Sequence, residues 1–478
     1  MKLLQKESLS RKNMPLLLLL AAGIIEFLFI TLESRFSGVC YYLAENYVIV
    51  PCLLFLGCVL QKKQTPFARR RLFLAAAAVC WFVIVQVQHT LTGMESHPMA
   101  TVFFVYLMGF PFAALADDRD NTGILWIGRL FAAAALVLVG YTGLLMLELI
   151  PSGLQGVLFW DGARLHALWH PNIAACYLMI GMGFSAAFWA RAEKNWVKGL
   201  FLAAIAVQFF AMSLTNCRTM LLMTGALLGG ITFFRIFRGS WKQLILGLMA
   251  AAVLLMGSFK LSGMIFRWNN DRLLAAHTMA VEEIIADETV PAGVVAATEE
   301  ALPETTPPET TPVETAPAVD DTGVISGDNP QGSLADDMRT LNGRTIIWRS
   351  ALTAIRDNPT LARWGTAYPG TVISVYNPWE VVHSHNSWME TLLRLGRPGL
   401  VVALVFTVIS VWSAARLVLG RKTELWKKII AMTTMCVLVA GFLEPYLFIT
   451  NVYYHILDFV FFFCTGYLDY WCNHKETV

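Results

Sequence analysis

Apolar runs long enough to cross a bilayer succeed one another along this chain, separated mostly by short polar gaps. They lie at about 14–33, 43–60, 72–89, 99–116, 124–150, 172–190, 197–215, 219–234, 243–261, 399–415, 429–449 and 453–471. Each approaches the roughly 20 residues that a helix needs to span the hydrocarbon core. The pattern predicts an all-α integral membrane protein with about twelve transmembrane helices. The gaps differ in charge. KESLSRK, QKKQTPFARRR, RAEKNWVK, RIFRGSWK and RKTELWKK fall on one side of such a bundle, whereas the short gaps of the other side hold only Arg35, Arg164 and Arg218 as cations. By the positive-inside rule the basic side, with both termini, is cytoplasmic. MKLLQKESLSRKN has the basic flank of a secretory signal, but the run after it is long enough to span, so it is expected to remain as the first helix.

One gap is long. Residues 262–398 separate the ninth run from the tenth and divide the chain into helices one to nine (1–261), an external loop (262–398) and helices ten to twelve with a cytoplasmic tail (399–478). Within the loop, residues 282–337, including EEALPETTPPETTPVETAPAVDD, carry fourteen acidic side chains, no basic ones and many Pro and Thr. Such a stretch buries too little apolar surface to offset chain entropy and is expected to be a disordered tether. From 339 to 398 the composition supports ordered helical structure. In NGRTIIWRSALTAIRDNP, the residues Ile347, Trp348, Ala351, Leu352 and Ile355 form one helical stripe, with Arg349, Ser350 and Arg356 facing away and Asn358-Pro359 ending the helix.

Composition supports the membrane reading, because 56% hydrophobic against 15% charged residues and a mean hydropathy of +0.56 exceed what soluble domains show. Net charge is only +2, which offers nothing to nucleic acid. The nine cysteines show no CxxC spacing, so no disulfide framework or zinc site follows. Asp118 and Asp120 in ADDRDN lie on the predicted cytoplasmic side and read as a solvated turn; the acidic pairs at 320–321 and 336–337 lie in or beside the tether, poor scaffolding for a metal.

The chemistry-bearing residues gather on the predicted external side. HSHNSWMETLLRLGRPG, residues 383–399, places His383, His385 and Asn386 at the start of a helix that Ser384 can cap and that Arg397-Pro398-Gly399 breaks. The positive end of a helix dipole favours a neutral imidazole, the form that accepts a proton. Arg218 in LTNCRTMLL has no acidic neighbour in sequence, so water, headgroups or an anionic ligand must meet its charge. With Arg344 in NGRTIIW and Arg164 in DGARLHALWHPN it could grip a diphosphate. His166 and His170 read as interfacial side chains, with a sugar groove as the alternative, and the external tryptophans fit either.

These segments, NGRTIIWRSALTAIRDNP followed by HSHNSWMETLLRLGRPG with its His-Asn pair and glycines eleven and fourteen positions after His385, resemble the signature loop of the O-antigen ligase and polymerase superfamily. ARLHALWHPNIAACYL and LTNCRTMLL are similar to two further family segments. The resemblance implies a bacterial cytoplasmic-membrane glycosyltransferase of GT-C-like fold, inverting, metal-independent and without a cofactor. It would move a glycan from an undecaprenyl-diphosphate carrier onto an acceptor hydroxyl, with membrane lipids around it. It implies His385 as the catalytic residue and Arg218 and Arg344 as holders of the donor diphosphate, with Arg164, Asn172, His383 and Asn386 as further candidates for substrate binding. Arg394, Met389 and Ala362 depart from the family pattern. Ligase and polymerase remain open, since both share these motifs. The rival is a transporter or flippase of the same lipid-linked sugars, against which the chain shows no repeat of its two halves.

Overall fold

The computed structural model describes residues 121–150, 158–167, 170–237, 239–287, 343–366, 368–378, 380–445, 447–448 and 455–473. The first four expected spans, most of the acidic tether, Trp169 and Trp379 lie outside the described residues. In chain order the described elements are α1 (Thr122–Met146), a hairpin of β1 (Leu158–Asp161) and β2 (Arg164–Ala167), α2 (Pro171–Arg191), α3 (Asn195–Leu214), α4 (Arg218–Ile236), α5 (Trp241–Asp287), α6 (Arg344–Asp357), α7 (Pro359–Trp364), α8 (Pro369–Ser374), α9 (Ser387–Leu419), α10 (Leu425–Ala440) and α11 (His455–Asn473). Among the described residues six helices are long and apolar enough to cross a membrane, namely Gly123–Met146, Pro171–Arg191, Asn195–Leu214, Arg218–Ile236, Trp241–Ala276 and Ser387–Leu419. The protein is mostly helical, as its apolar pattern predicts, with a short hairpin added. That hairpin turns at Asp161-Gly162, a strong turn signal between strands too short to register as apolar periodicity.

α2 is the central helix. It is apolar on every side, and its residues from Ile173 to Ala187 are buried against α1, α3, α4 and α10. Small residues let those neighbours come close: a side chain at Gly181 would run into Ala135 of α1, and one at Gly183 into Thr433 of α10. α11 completes the core with Phe461, Phe462, Phe463, Tyr467 and Trp471, all almost fully buried. The outward faces carry exposed apolar residues such as Leu136, Leu200, Leu222 and Val408, as expected of helices solvated by lipid.

The described chain forms two compact units, one comprising residues 267–345 and the other the rest. In the smaller unit, α5 continues to Asp287, past the boundary at 261 and six residues into the stretch expected to be disordered. After Gly263 no glycine or proline interrupts it before Pro291, and Leu, Ala, Met and Glu are good helix formers.

In the larger unit, a second apolar cluster of Ile347, Ala351, Ala354, Leu361, Ile373, Val381 and Leu393 holds α6, α7 and α8 against the start of α9. The buried stripe of α6 is Ile347, Ser350, Ala351 and Ala354, whereas Leu352 is exposed. The expected stripe is thus rotated, because the Ser350 hydroxyl donates to the Tyr376 carbonyl at 2.9 Å and is satisfied inside. α9 is two helices joined at Gly396, whose φ of 64° and ψ of −168° break the spiral where Arg397-Pro398-Gly399 predicts a break. α10 ends at Ala440 instead of running to 449, since Gly441 and Pro445 stop it.

Candidate active site at one end of the helical bundle

Four chain segments converge at one end of the larger unit. α2 begins there, α3 and α4 turn there through Thr215-Asn216-Cys217, α9 begins there after the histidine segment, and the loop following α10 returns there. The loop is stitched to α9: the Ser387 amide donates to the Gly441 carbonyl at 2.8 Å, the Ser387 hydroxyl to the Glu444 carbonyl at 3.0 Å, and the Leu447 amide to the Ser387 hydroxyl at 3.0 Å. Trp388 stacks on Phe442 with ring centroids 3.9 Å apart.

Asn386, rather than Ser384, caps α9. Its side-chain oxygen accepts from the Met389 amide at 2.9 Å, and its amide group donates to the Phe442 carbonyl at 2.9 Å. Ser384 is otherwise engaged, its amide donating to buried Glu390 at 2.8 Å and its hydroxyl to the Asn386 carbonyl at 3.1 Å. Glu390 also accepts from Arg394 at 2.8 Å, so the departure at Arg394 comes with its own buried partner. Between the two candidate caps, His385 has φ 49°, a left-handed conformation uncommon outside glycine; Asn216 and Phe448, in two of the other converging segments, share it at 51° and 62°.

That turn aims the His385 ring at Glu444. Nδ1 lies 3.2 Å from Glu444 Oε2, with the imidazole 33% exposed and the carboxylate 3% exposed. A carboxylate oxygen accepts, which assigns the proton to Nδ1 and leaves a lone pair on Nε2. Nε2 makes no hydrogen bond among the described residues, and the ring as a whole is partly exposed. The other oxygen of Glu444 accepts from the Asn172 side-chain amide at 2.8 Å; Asn172 Oδ1 accepts from Arg164 at 3.1 Å; and Arg164 Nε donates to the Thr215 carbonyl at 2.8 Å. The result is a relay, Arg164–Asn172–Glu444–His385, that compensates a buried carboxylate at both oxygens. His170 caps α2, its Nδ1 accepting from the Asn172 amide at 3.2 Å.

His383 packs edge-on against His385, centroids 4.2 Å apart, and its Nδ1 accepts from the His385 amide at 3.4 Å. Burial, reinforced by the neighbouring imidazole, pushes His383 down to about 4, so it stays neutral. Trp348 of α6 ties in the same segment by donating to the Ser384 carbonyl at 2.9 Å.

The structure thus gathers Arg164, Asn172, His383, His385 and Asn386 around Glu444. Arg218 opens α4, three positions after the Thr215 that holds Arg164. Arg344 opens α6 and belongs to the smaller unit. Glu444 does not stand out in the sequence because it sits inside an apolar run, 429–449, that reads as one continuous helix. The signal was present: an ionisable residue at membrane depth, followed by Pro445, marks both a helix end and a functional position. Among the described residues no three His, Cys, Asp or Glu side chains are grouped to hold a metal ion.

Spanning helices with a polar cluster at their ends define a multi-pass membrane protein whose site is built where helices start and stop. Residues 201–404 match the Wzy_C family, described as O-antigen ligase, and so place this segment in the family its motifs resemble. That family's description points to membrane glycan transfer of glycosyltransferase type. The match takes in Arg218, Arg344, His383, His385 and Asn386 and leaves Arg164, Asn172 and Glu444 outside. No curated protein matches the chain.

Proposed function

We propose that the protein is an inverting, metal-independent glycosyltransferase of GT-C-like fold, working on the outer face of a bacterial cytoplasmic membrane. It transfers an undecaprenyl-diphosphate-linked glycan to an acceptor hydroxyl. The observation that carries this reading is the Nδ1 contact of a partly exposed His385 with buried Glu444, which leaves the lone pair of Nε2 to act as the base. The acceptor hydroxyl gives its proton to Nε2 as its oxygen attacks the anomeric carbon. The bond from that carbon to the diphosphate breaks, and undecaprenyl diphosphate leaves. Arg218 and Arg344, assigned by the family resemblance, take up the charge that develops on the departing diphosphate. Glu444 is a positioning residue, holding the ring in one tautomer and supporting the imidazolium as it forms.

Purified protein supplied with an undecaprenyl-diphosphate glycan and an acceptor tests this. His385→Ala should lower kcat by about 10²–10⁴-fold with donor binding retained, the usual worth of a general base. Glu444→Gln should lower kcat on the order of 10²-fold with donor KM little changed, because it misdirects the base without touching donor. Turnover should survive EDTA. Unchanged release of carrier diphosphate by His385→Ala would remove the base, and a carrier moved across vesicles without bond cleavage would favour the flippase.

A further inference from the structure

The β1–β2 hairpin presents a face that the relay only begins to use. Phe159 pairs with His166 and Asp161 with Arg164 across the ladder, so strand alternation sets these four side chains on one face and Leu158, Trp160, Leu165 and Ala167 on the other. The second face packs inward: Leu158, Leu165 and Ala167 are buried, and Trp160 packs against the core. On the first face Phe159 is 38% exposed and its ring meets that of His166, centroids 4.8 Å apart and planes tilted by 31°. The Asp161 carboxylate, 67% exposed, lies 3.2 Å from His166 Nε2. Arg164, at the turn end of this face, leads through Asn172 and Glu444 to His385.

An accessible aromatic ring, a carboxylate and an imidazole fixed on one short ladder suit a pyranose. The C–H face of a sugar stacks on the ring, while its hydroxyls donate to the carboxylate. We propose that this hairpin face is a saccharide subsite holding the acceptor pyranose beside the relay, an inference that rests on the reading of His385 as base. Two arguments favour the acceptor over the donor. An exposed carboxylate repels a diphosphate but welcomes neutral hydroxyls. The acceptor is also the reactant whose hydroxyl His385 must reach, and the same strand that carries the face supplies the relay's first member.

Binding and turnover test it separately. Saturation-transfer NMR on the full-length protein in detergent would use methyl glycosides of glucose, galactose, rhamnose and N-acetylglucosamine. At least one should receive saturation, and the signal should be lost in Phe159→Ala and Asp161→Asn yet kept in Phe159→Tyr. In the transfer assay those first two substitutions should raise acceptor KM about tenfold, with kcat and donor KM within about twofold. The inference is overturned if no glycoside binds, if Phe159→Ala binds as wild type does, or if only donor KM rises. His385→Ala distinguishes the two readings: it should stop transfer and leave saturation transfer intact, whereas turnover persisting in it sinks the base and not the hairpin's binding.

Discussion

A single imidazole acquires its direction here from three other side chains. Asn172 and Arg164 reach His385 only through Glu444: they fix Glu444, and Glu444 fixes the ring. His383 contributes differently, as a neutral acceptor for the backbone amide of His385. Its pKa near 4 lies below the ordinary value of about 6.5, so between those values the unfolded chain binds the proton that the folded one refuses. Stability carried by this group is therefore complete above about pH 6.5 and drains away as pH falls towards 4. Thermal unfolding measured from pH 7 to pH 4 should show the midpoint dropping with acid, and less steeply in His383→Asn. At this scale the sequence was informative about residue types and less so about partners. His385 and Asn172 stand in readable motifs, whereas the choice of Asn386 over Ser384 as cap depends on where Glu390 and Phe442 fall in space.

Among the elements, the break in α9 decides how the histidine segment meets the bundle. Gly396 combines a left-handed φ with a backbone approach in which an added Cβ would stand 2.5 Å from the Arg363 carbonyl oxygen. Facing it, the Thr366 amide donates to the Leu393 carbonyl at 2.7 Å, so α7 is latched to the kink. Gly396→Ala should destabilise by about 1–3 kcal/mol, from backbone strain and the displaced contact together, read as a lower thermal midpoint. This break was legible because Gly-Arg-Pro-Gly is a helix-stopping series in any setting. The hairpin was not, since four-residue strands give too few alternations to stand out. The stripe of α6 was misjudged by about one position because hydrophobicity does not distinguish an exposed Leu352 from a buried, hydrogen-bonded Ser350.

Across the larger unit, the relay stands at one end, and Arg191, Arg235 and Arg416 stand in the last turns of helices that begin there. α2 starts at Pro171, next to Asn172 of the relay, and finishes at Arg191; α4 runs from Arg218 to Ile236 and α9 from Ser387, after the histidine segment, to Leu419. At the far end Trp426 lies within reach of both Arg191 and Lys427, at 5.6 and 5.5 Å. By the positive-inside rule the relay is expected to lie outside the cell. In intact cells a membrane-impermeant maleimide should label Thr360→Cys at once and Lys422→Cys only after permeabilisation, measured above the wild-type background. The reverse order would invert the topology. The relay also has a temporal side. Asn172 and Glu444 stand 272 residues apart, and His385 waits between them for a carboxylate that the ribosome delivers late. A nascent chain still missing α10 and the loop after it holds an imidazole that nothing aims, so the relay closes only once the last part of the chain has threaded into place.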